Sequence, residues 1–192
     1  FININNKIID LEIRDLNIYN VLALVSILKV LKIDINQIKA KLKNFESPEG
    51  RGKKYSIVRY KKKFNLIDES YNANPLSVKN AINKLNLIKK ENFKKYLILG
   101  DMLELGSKSN KYHEQLSKVI NNSDIDKVFI KGKKTIFTYK QLNKDKRGNI
   151  LQNNEDIDIS LREMISNNDH LMIKGSNATG LYEFSKKMIK GI

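Results

Sequence analysis

The sequence predicts an α/β fold in which a mostly parallel sheet is flanked by helices, and three observations carry that expectation. From residue 55 onward, short apolar runs of strand length alternate with helical patterns of about ten residues, which is how βαβ units read in a sequence. Three of the apolar runs lead into loops dense in polar residues, at 68–75, 100–106 and 174–180. Hydrophobic residues make up 41% of the 192 and are spread along the whole length, enough to bury a core.

The elements follow in order. Residues Ile2–Ile13 alternate in short β-like pieces around Asn5-Asn6, a pair suited to a turn. Ile18–Leu31 is strongly apolar with helical spacing, and a second helix is expected over Ile35–Phe45, with Asp34 able to cap it and Gln37 three positions on, as in a capping box. The stretch Glu46-Ser47-Pro48-Glu49-Gly50-Arg51-Gly52 holds one of the two prolines and two glycines and reads as a linker. The domain boundary falls there, giving a small, mainly helical segment 1–46, a linker 47–52 and a second domain 53–192. Tyr55–Arg59 and Phe64–Asp68 read as strands joined by a solvated turn carrying Lys61-Lys62-Lys63. Leu76–Ile88 is helical, with Pro75 placed where a helix begins. Then come a strand Tyr96–Leu99 ending in Gly100-Asp101, a helix Tyr112–Ile120, a strand Lys127–Ile130 ending at Gly132, and a helix Ile136–Leu142. A strand Asn149–Leu151, a helix Ile157–Ile165, a strand His170–Ile173 ending in Lys174-Gly175-Ser176, and a last helix Leu181–Ile189 complete the Rossmann-like pattern.

Composition excludes several functions. With no cysteine, disulfides, thiolate chemistry and cysteine-based zinc sites are ruled out. No apolar stretch reaches the ~18–20 residues that span a bilayer, and no charged-then-apolar leader opens the chain, so a soluble, cytoplasmic protein is expected; it is taken as a monomer. The formal charge of +15 invites a nucleic-acid reading. Yet the lysines, among them Lys39, Lys41, Lys43, Lys89, Lys90, Lys186 and Lys187, are scattered over every element rather than gathered beside aromatics, and no nucleic-acid partner is expected. In open α/β sheets, ligands bind where strands end and helices begin, so three polar loops at one edge point to a small-molecule site. Periodicity and spacing name no reaction.

Three motifs do. Leu66-Ile67-Asp68-Glu69-Ser70-Tyr71-Asn72-Ala73-Asn74-Pro75 resembles a signature of the Mur ligase family, in the form carried by the branch that adds D-alanyl-D-alanine. Sibling branches and folylpolyglutamate synthetases typically carry a histidine-containing variant there. Gly100-Asp101-Met102-Leu103-Glu104-Leu105-Gly106 resembles a second loop of that branch, followed by a helix with His113, and Ile173-Lys174-Gly175-Ser176 resembles its last loop. With Gly50-Arg51 in the linker, four segments match in order across the second domain.

The resemblance implies ATP-dependent ligation of D-alanyl-D-alanine to UDP-N-acetylmuramoyl-tripeptide through an acyl phosphate, with ATP and Mg²⁺ as cofactors, both held mainly by a region upstream of these residues. Folylpolyglutamate or cyanophycin synthetase is the alternative within the superfamily. By the same resemblance, Asn17 and Asn20 approach the nucleotide, Asp68 holds the ribose, and Arg51 meets the phosphates as a fork-shaped cation. Asn72 and Asn74 stand on the substrate side, more as shapers of the loop than as ligand contacts. Asp101 and Glu104 would meet the dipeptide ammonium, and Lys174 and Ser176 its carboxylate or the acyl phosphate. Arg51 and Lys174 are the catalytic candidates, no residue is assigned to a metal, and His113 and His170 receive no role. The family's His-Asn-x-x-Asn pattern is met by Leu16-Asn17-Ile18-Tyr19-Asn20, with leucine for histidine, and no Gly-x-x-x-x-Gly-Lys-[Ser/Thr] phosphate loop occurs. The expectation is therefore a C-terminal fragment, preceded by a remnant of the central ATPase domain and inactive by itself.

Overall fold

The computed structural model describes residues 2–4, 7–9 and 18–192. The chain divides into two compact units, Phe1–Pro48 and Glu49–Ile192. In the first, β1 (Ile2–Ile4) pairs antiparallel with β2 (Lys7–Ile9), and two helices follow, α1 (Ile18–Val30) and α2 (Asn36–Lys43). Val21, Val25 and Leu28 recur every three to four residues on α1 and are its buried face; Val21 and Val25 cluster with Leu42 of α2. The Asp34 carboxylate accepts the Asn36 N–H at 3.0 Å, as its place before the helix suggests.

The second unit is built on a six-stranded sheet of order β3-β4-β8-β5-β6-β7. Its strands are β3 (Lys53–Arg59), β4 (Lys62–Glu69), β5 (Lys95–Gly100), β6 (Lys127–Lys131), β7 (Arg147–Leu151) and β8 (His170–Lys174). Every pairing is parallel except β3 with β4. That hairpin corrects one expectation. The turn is Tyr60-Lys61, both at positive φ (56° and 60°), and Lys62 already pairs with Arg59. A two-residue turn of this hand matches the right-handed twist of the strands, so pairing runs closer to the tip than the lysine run suggests. Lys62 also donates to the Arg162 carbonyl at 3.0 Å, so the run is not simply solvated.

Five helices cover the sheet: α3 (Pro75–Asn86), α4 (Ser109–Asn121), α5 (Thr135–Lys140), α6 (Asn154–Met164) and α7 (Leu181–Lys190). Side chains alternate along each strand, and β5 shows the result. Leu97 and Leu99 pack with α3 and α4, whereas Tyr96 and Ile98 pack with α6 and α7. The connections β4–α3–β5, β5–α4–β6 and β6–α5–β7 all run one way across the sheet, and β7–α6–β8 returns the other way. Since parallel crossovers are right-handed, reversing direction moves the helix to the opposite face. Strand β8 is thereby inserted between β4 and β5. Its following helix lies on the face opposite to theirs, which opens crevices at the carboxyl edge of the sheet.

Candidate active site

The loops at that edge hold one another. Asp68, at the end of β4, is fully buried. One carboxylate oxygen accepts the Gly50 N–H at 2.8 Å, and the other accepts the Ser70 hydroxyl at 2.5 Å and its N–H at 3.3 Å. The backbone adds Gly52 N–H to the Asp68 carbonyl (2.7 Å) and Tyr71 N–H to the Gly50 carbonyl (3.1 Å). Gly50 sits at φ 72°, where a Cβ would fall 2.6 Å from Tyr71 Cβ, so only glycine allows this approach. The Asp68 carboxylate, read from the resemblance as a ribose holder, is thus engaged within the fold, one oxygen with the linker at Gly50 and the other with Ser70. Arg51, two residues from Pro48–Glu49, is exposed, and its guanidinium rests on the Tyr71 ring, 4.7 Å from the centroid. The carboxylate left partly accessible at this strand end is Glu69, ion-paired with Lys174 at 3.7 Å and 4.0 Å from Lys84. Nothing in the sequence separates Asp68 from Glu69; burial does.

Lys174 likewise faces the interior of the fold. Its ammonium is buried and turned inward, donating to the Glu69 carbonyl at 3.2 Å and to the Asn72 carbonyl. Burial pushes its pKa down, while Glu69 pulls it back up. Asn72 and Asn74 both hydrogen-bond within their own loop. Asn72 Oδ1 accepts the Ala73 N–H at 2.8 Å, and Asn74 caps α3 in a reciprocal box with Ser77. Ser176 is a knot rather than a free hydroxyl: its Oγ accepts the Leu103 N–H at 3.1 Å, and its N–H reaches the Asp101 carbonyl at 3.1 Å.

Asp101 and Glu104 fare differently. Asp101 Oδ1 accepts the N–H groups of Lys134 (3.0 Å) and Thr135 (2.8 Å), capping α5 from another strand. It nonetheless lines a cleft of about 430 Å³ with Leu103, Lys131, Lys133, Gln152 and Thr179. Glu104 is exposed and held at φ 62°, a conformation unusual for a non-glycine residue and one that clusters at functional loops. Lys131 and Lys133 escaped the sequence reading, although Lys131-Gly132-Lys133-Lys134 at a strand end was a signal for them. Lys131 Nζ is fixed by Asn154 Oδ1 (3.0 Å) and the Thr179 carbonyl (2.8 Å), and Lys133 is exposed. Asn20 is exposed on the first turn of α1 in the other unit, while Leu16 and Asn17 lie outside the described residues.

His113, fully buried on α4, accepts the Met102 N–H at Nε2 (2.9 Å) and donates from Nδ1 to the Ser109 carbonyl (2.8 Å). Burial lowers its pKa, and likewise that of His170. As pH falls below about 6.5, the unfolded chain binds these protons before the folded one does. Stability is therefore expected intact above that value and lost progressively toward the lower folded-state pKa values. Urea midpoints measured between pH 7.5 and 5.5 should fall, and His113→Gln should flatten the decline; a midpoint constant over that range would contradict it.

The family description "Mur ligase, glutamate ligase domain" matches residues 55–177, which take in the 68–75 and 100–106 loops and the start of the 174–180 loop. The chain belongs to the Mur ligase family. The UDP-N-acetylmuramoyl-tripeptide–D-alanyl-D-alanine ligase of Bacillus subtilis is 31% identical over 143 residues, covering 72% of this chain and 31% of that protein. The ligase of the same name from Rickettsia prowazekii is 31% identical over 182 residues, covering 93% of this chain and 39% of that one. Among solved structures, the MurF ligase of Thermotoga maritima in complex with ADP superposes with a TM-score of 0.74 at 20% identity, over 90% of this chain and 38% of that one. At that identity the likeness shows the Mur ligase fold. The chain spans about a third of the length of the curated relatives it matches.

Proposed function

We propose that this Mur ligase chain carries the C-terminal part of an ATP-dependent ligase that joins D-alanyl-D-alanine to UDP-N-acetylmuramoyl-tripeptide through an acyl phosphate. One observation carries the reading: the Gly100–Gly106 loop, in the form that resembles the D-alanyl-D-alanine branch, forms a wall of the carboxyl-edge cleft. A volume of about 430 Å³ falls in the range of small-ligand sites. The cleft also offers the charges that a zwitterionic dipeptide needs. Lys131 and Lys133 suit its carboxylate, and Asp101, with Glu104 in the same loop, suits its ammonium. A carboxylate there can also take the proton that the amine must lose before it attacks the acyl carbon. The attack makes a tetrahedral centre and expels phosphate, so the remaining work is placement and charge neutralisation. Arg51 supplies a fixed cation for the phosphate, and Asn20 is assigned to the nucleotide by the same reading.

Among the described residues no group of three or more His, Asp or Glu could hold the Mg²⁺ that the resemblance implies, and no step here is drawn through one. Of the basic residues, Lys95, Lys127, Lys146 and Lys174 are engaged within the fold.

The test is ligation by the full-length protein with D-alanyl-D-alanine, glutamate and aspartate as competing acceptors, read by product chromatography and phosphate release. Dipeptide incorporation is expected, whereas exclusive use of glutamate would move the protein to the folylpolyglutamate branch. The 192 residues alone, without a phosphate loop in their sequence, are expected to form no product. In the full-length protein Arg51→Ala should lower kcat about a hundredfold, as loss of one aimed donor to developing charge does. Arg51 is exposed and its contact is the stack on Tyr71, so the stability change should stay within about 1 kcal/mol. Unchanged kcat would remove Arg51 from the site.

A further inference from the structure

We propose that Lys174 is a positioning residue, whose buried ammonium clamps the 69–72 backbone and thereby seats Tyr71, the ring on which the Arg51 guanidinium rests. The inference rests on the functional reading only in taking Arg51 as the ligand-facing group.

An ammonium that met a substrate anion would need a proton turned toward the cleft. The Lys174 ammonium is instead buried (2% exposed) and turned to the fold: it donates to the Glu69 carbonyl at 3.2 Å and to the Asn72 carbonyl, with the Glu69 carboxylate 3.7 Å away as its counter-charge. The two carbonyls stand on either side of Ser70-Tyr71, so one cation closes that segment into a loop. Ser70 is held from within by Asp68, and the Tyr71 N–H donates to the Gly50 carbonyl at 3.1 Å. The direction of the Tyr71 ring is then set from two sides. Tyr182 of α7 meets it edge-on at 5.2 Å, and Arg51 lies over it at 4.7 Å. Arg51 itself is exposed, and the Tyr71 stack is what fixes its guanidinium. An exposed arginine without such a stack samples many rotamers, so the clamp converts a mobile cation into an aimed one.

The 192-residue chain can report this directly by NMR of its lysine and arginine side chains. In the unmodified chain the Lys174 ammonium should exchange slowly with solvent, and the Arg51 side-chain protons should be displaced upfield by the Tyr71 ring. Lys174→Met, similar in length and uncharged, should abolish the Arg51 displacement while the Gly50 amide, bonded to Asp68, keeps its position. Because the sequence has no cysteine, Lys174→Cys can be alkylated to S-aminoethylcysteine, which restores an ammonium at nearly the native reach. The displacement should return with it. A freely exchanging Lys174 ammonium, an Arg51 displacement unaltered in Lys174→Met, or an aminoethylated protein that folds with Arg51 off the ring would each overturn the proposal. The first of these needs no variant, so a failure of Lys174→Met to fold leaves a decision in hand.

In the full-length protein the two substitutions should be non-additive. Lys174→Met should cost kcat much less on an Arg51→Ala background than on the native one, with the dipeptide KM unchanged. Full additivity, or a raised dipeptide KM alone, would return Lys174 to the substrate. Absence of ligation would defeat the functional reading and leave the NMR results standing.

Discussion

Replacing Gly132 by alanine is expected to destabilise the second unit by about 3–5 kcal/mol and to close the carboxyl-edge cleft, an effect of the size seen where backbone strain and lost polar partners combine. Gly132 lies at φ 135°, where an L side chain is strained, and a Cβ there would stand 2.3 Å from Asp101 Oδ1. The carboxylate cannot yield without cost, because the Lys134 and Thr135 N–H groups at the start of α5 depend on it. Moving it strands two donors, and each buried unmet donor costs about 1–3 kcal/mol. Denaturant unfolding of the 192-residue chain reads the first effect. Loss of dipeptide-dependent turnover in the full-length protein reads the second. A Gly132→Ala protein with native midpoint and native KM would show that Asp101 does not hold α5 in this way.

Asp68→Ala is expected to cost about 3–4 kcal/mol and to release the linker. Removing the carboxylate leaves the Gly50 and Ser70 N–H groups and the Ser70 hydroxyl facing a cavity among fully buried neighbours. Asp68→Asn, nearly isosteric, should recover only part of this. An amide offers one accepting oxygen where the carboxylate offers two, and it turns an N–H₂ toward donors. Protease susceptibility at 47–52 should rise in both variants, more in alanine than in asparagine. If Asp68 instead served only a ligand, thermal melting without ligand would be unchanged, and that outcome would restore its ribose role.

Much of the fold was legible in the sequence because its signals are local. Short apolar runs of strand length between helical patterns of ten or so residues, with Pro75 opening α3 and glycine or polar loops after strands, gave the α/β class and nearly every element within two or three residues. The exception, the β3–β4 turn, turned on a pair of positive-φ residues, Tyr60 and Lys61, that no glycine or asparagine announced. The three loops of the site were legible too, since Asp68–Pro75, Gly100–Gly106 and Lys174–Gly180 do meet at one edge.

What each side chain does in those loops was not legible. A carboxylate or an ammonium reads the same in a sequence whether its charge faces solvent or a buried backbone. Asp68 and Glu69 are neighbours of equal chemistry, yet the pleat sends the first inward to Gly50 and leaves the second beside Lys174. Lys174 holds carbonyls more than a hundred residues away, and Asp101 caps a helix that begins beyond the next strand. Lys131 and Lys133 line the cleft only because the return crossover places β8 beside β5, bringing Thr179 within reach of Lys131. The sequence by itself determined the elements, the class of the sheet and the polar loops that gather at its carboxyl edge. The tertiary structure decided which polar groups brace those loops and which remain free for a ligand, because burial and long-range hydrogen bonding depend on what the whole chain packs against each group.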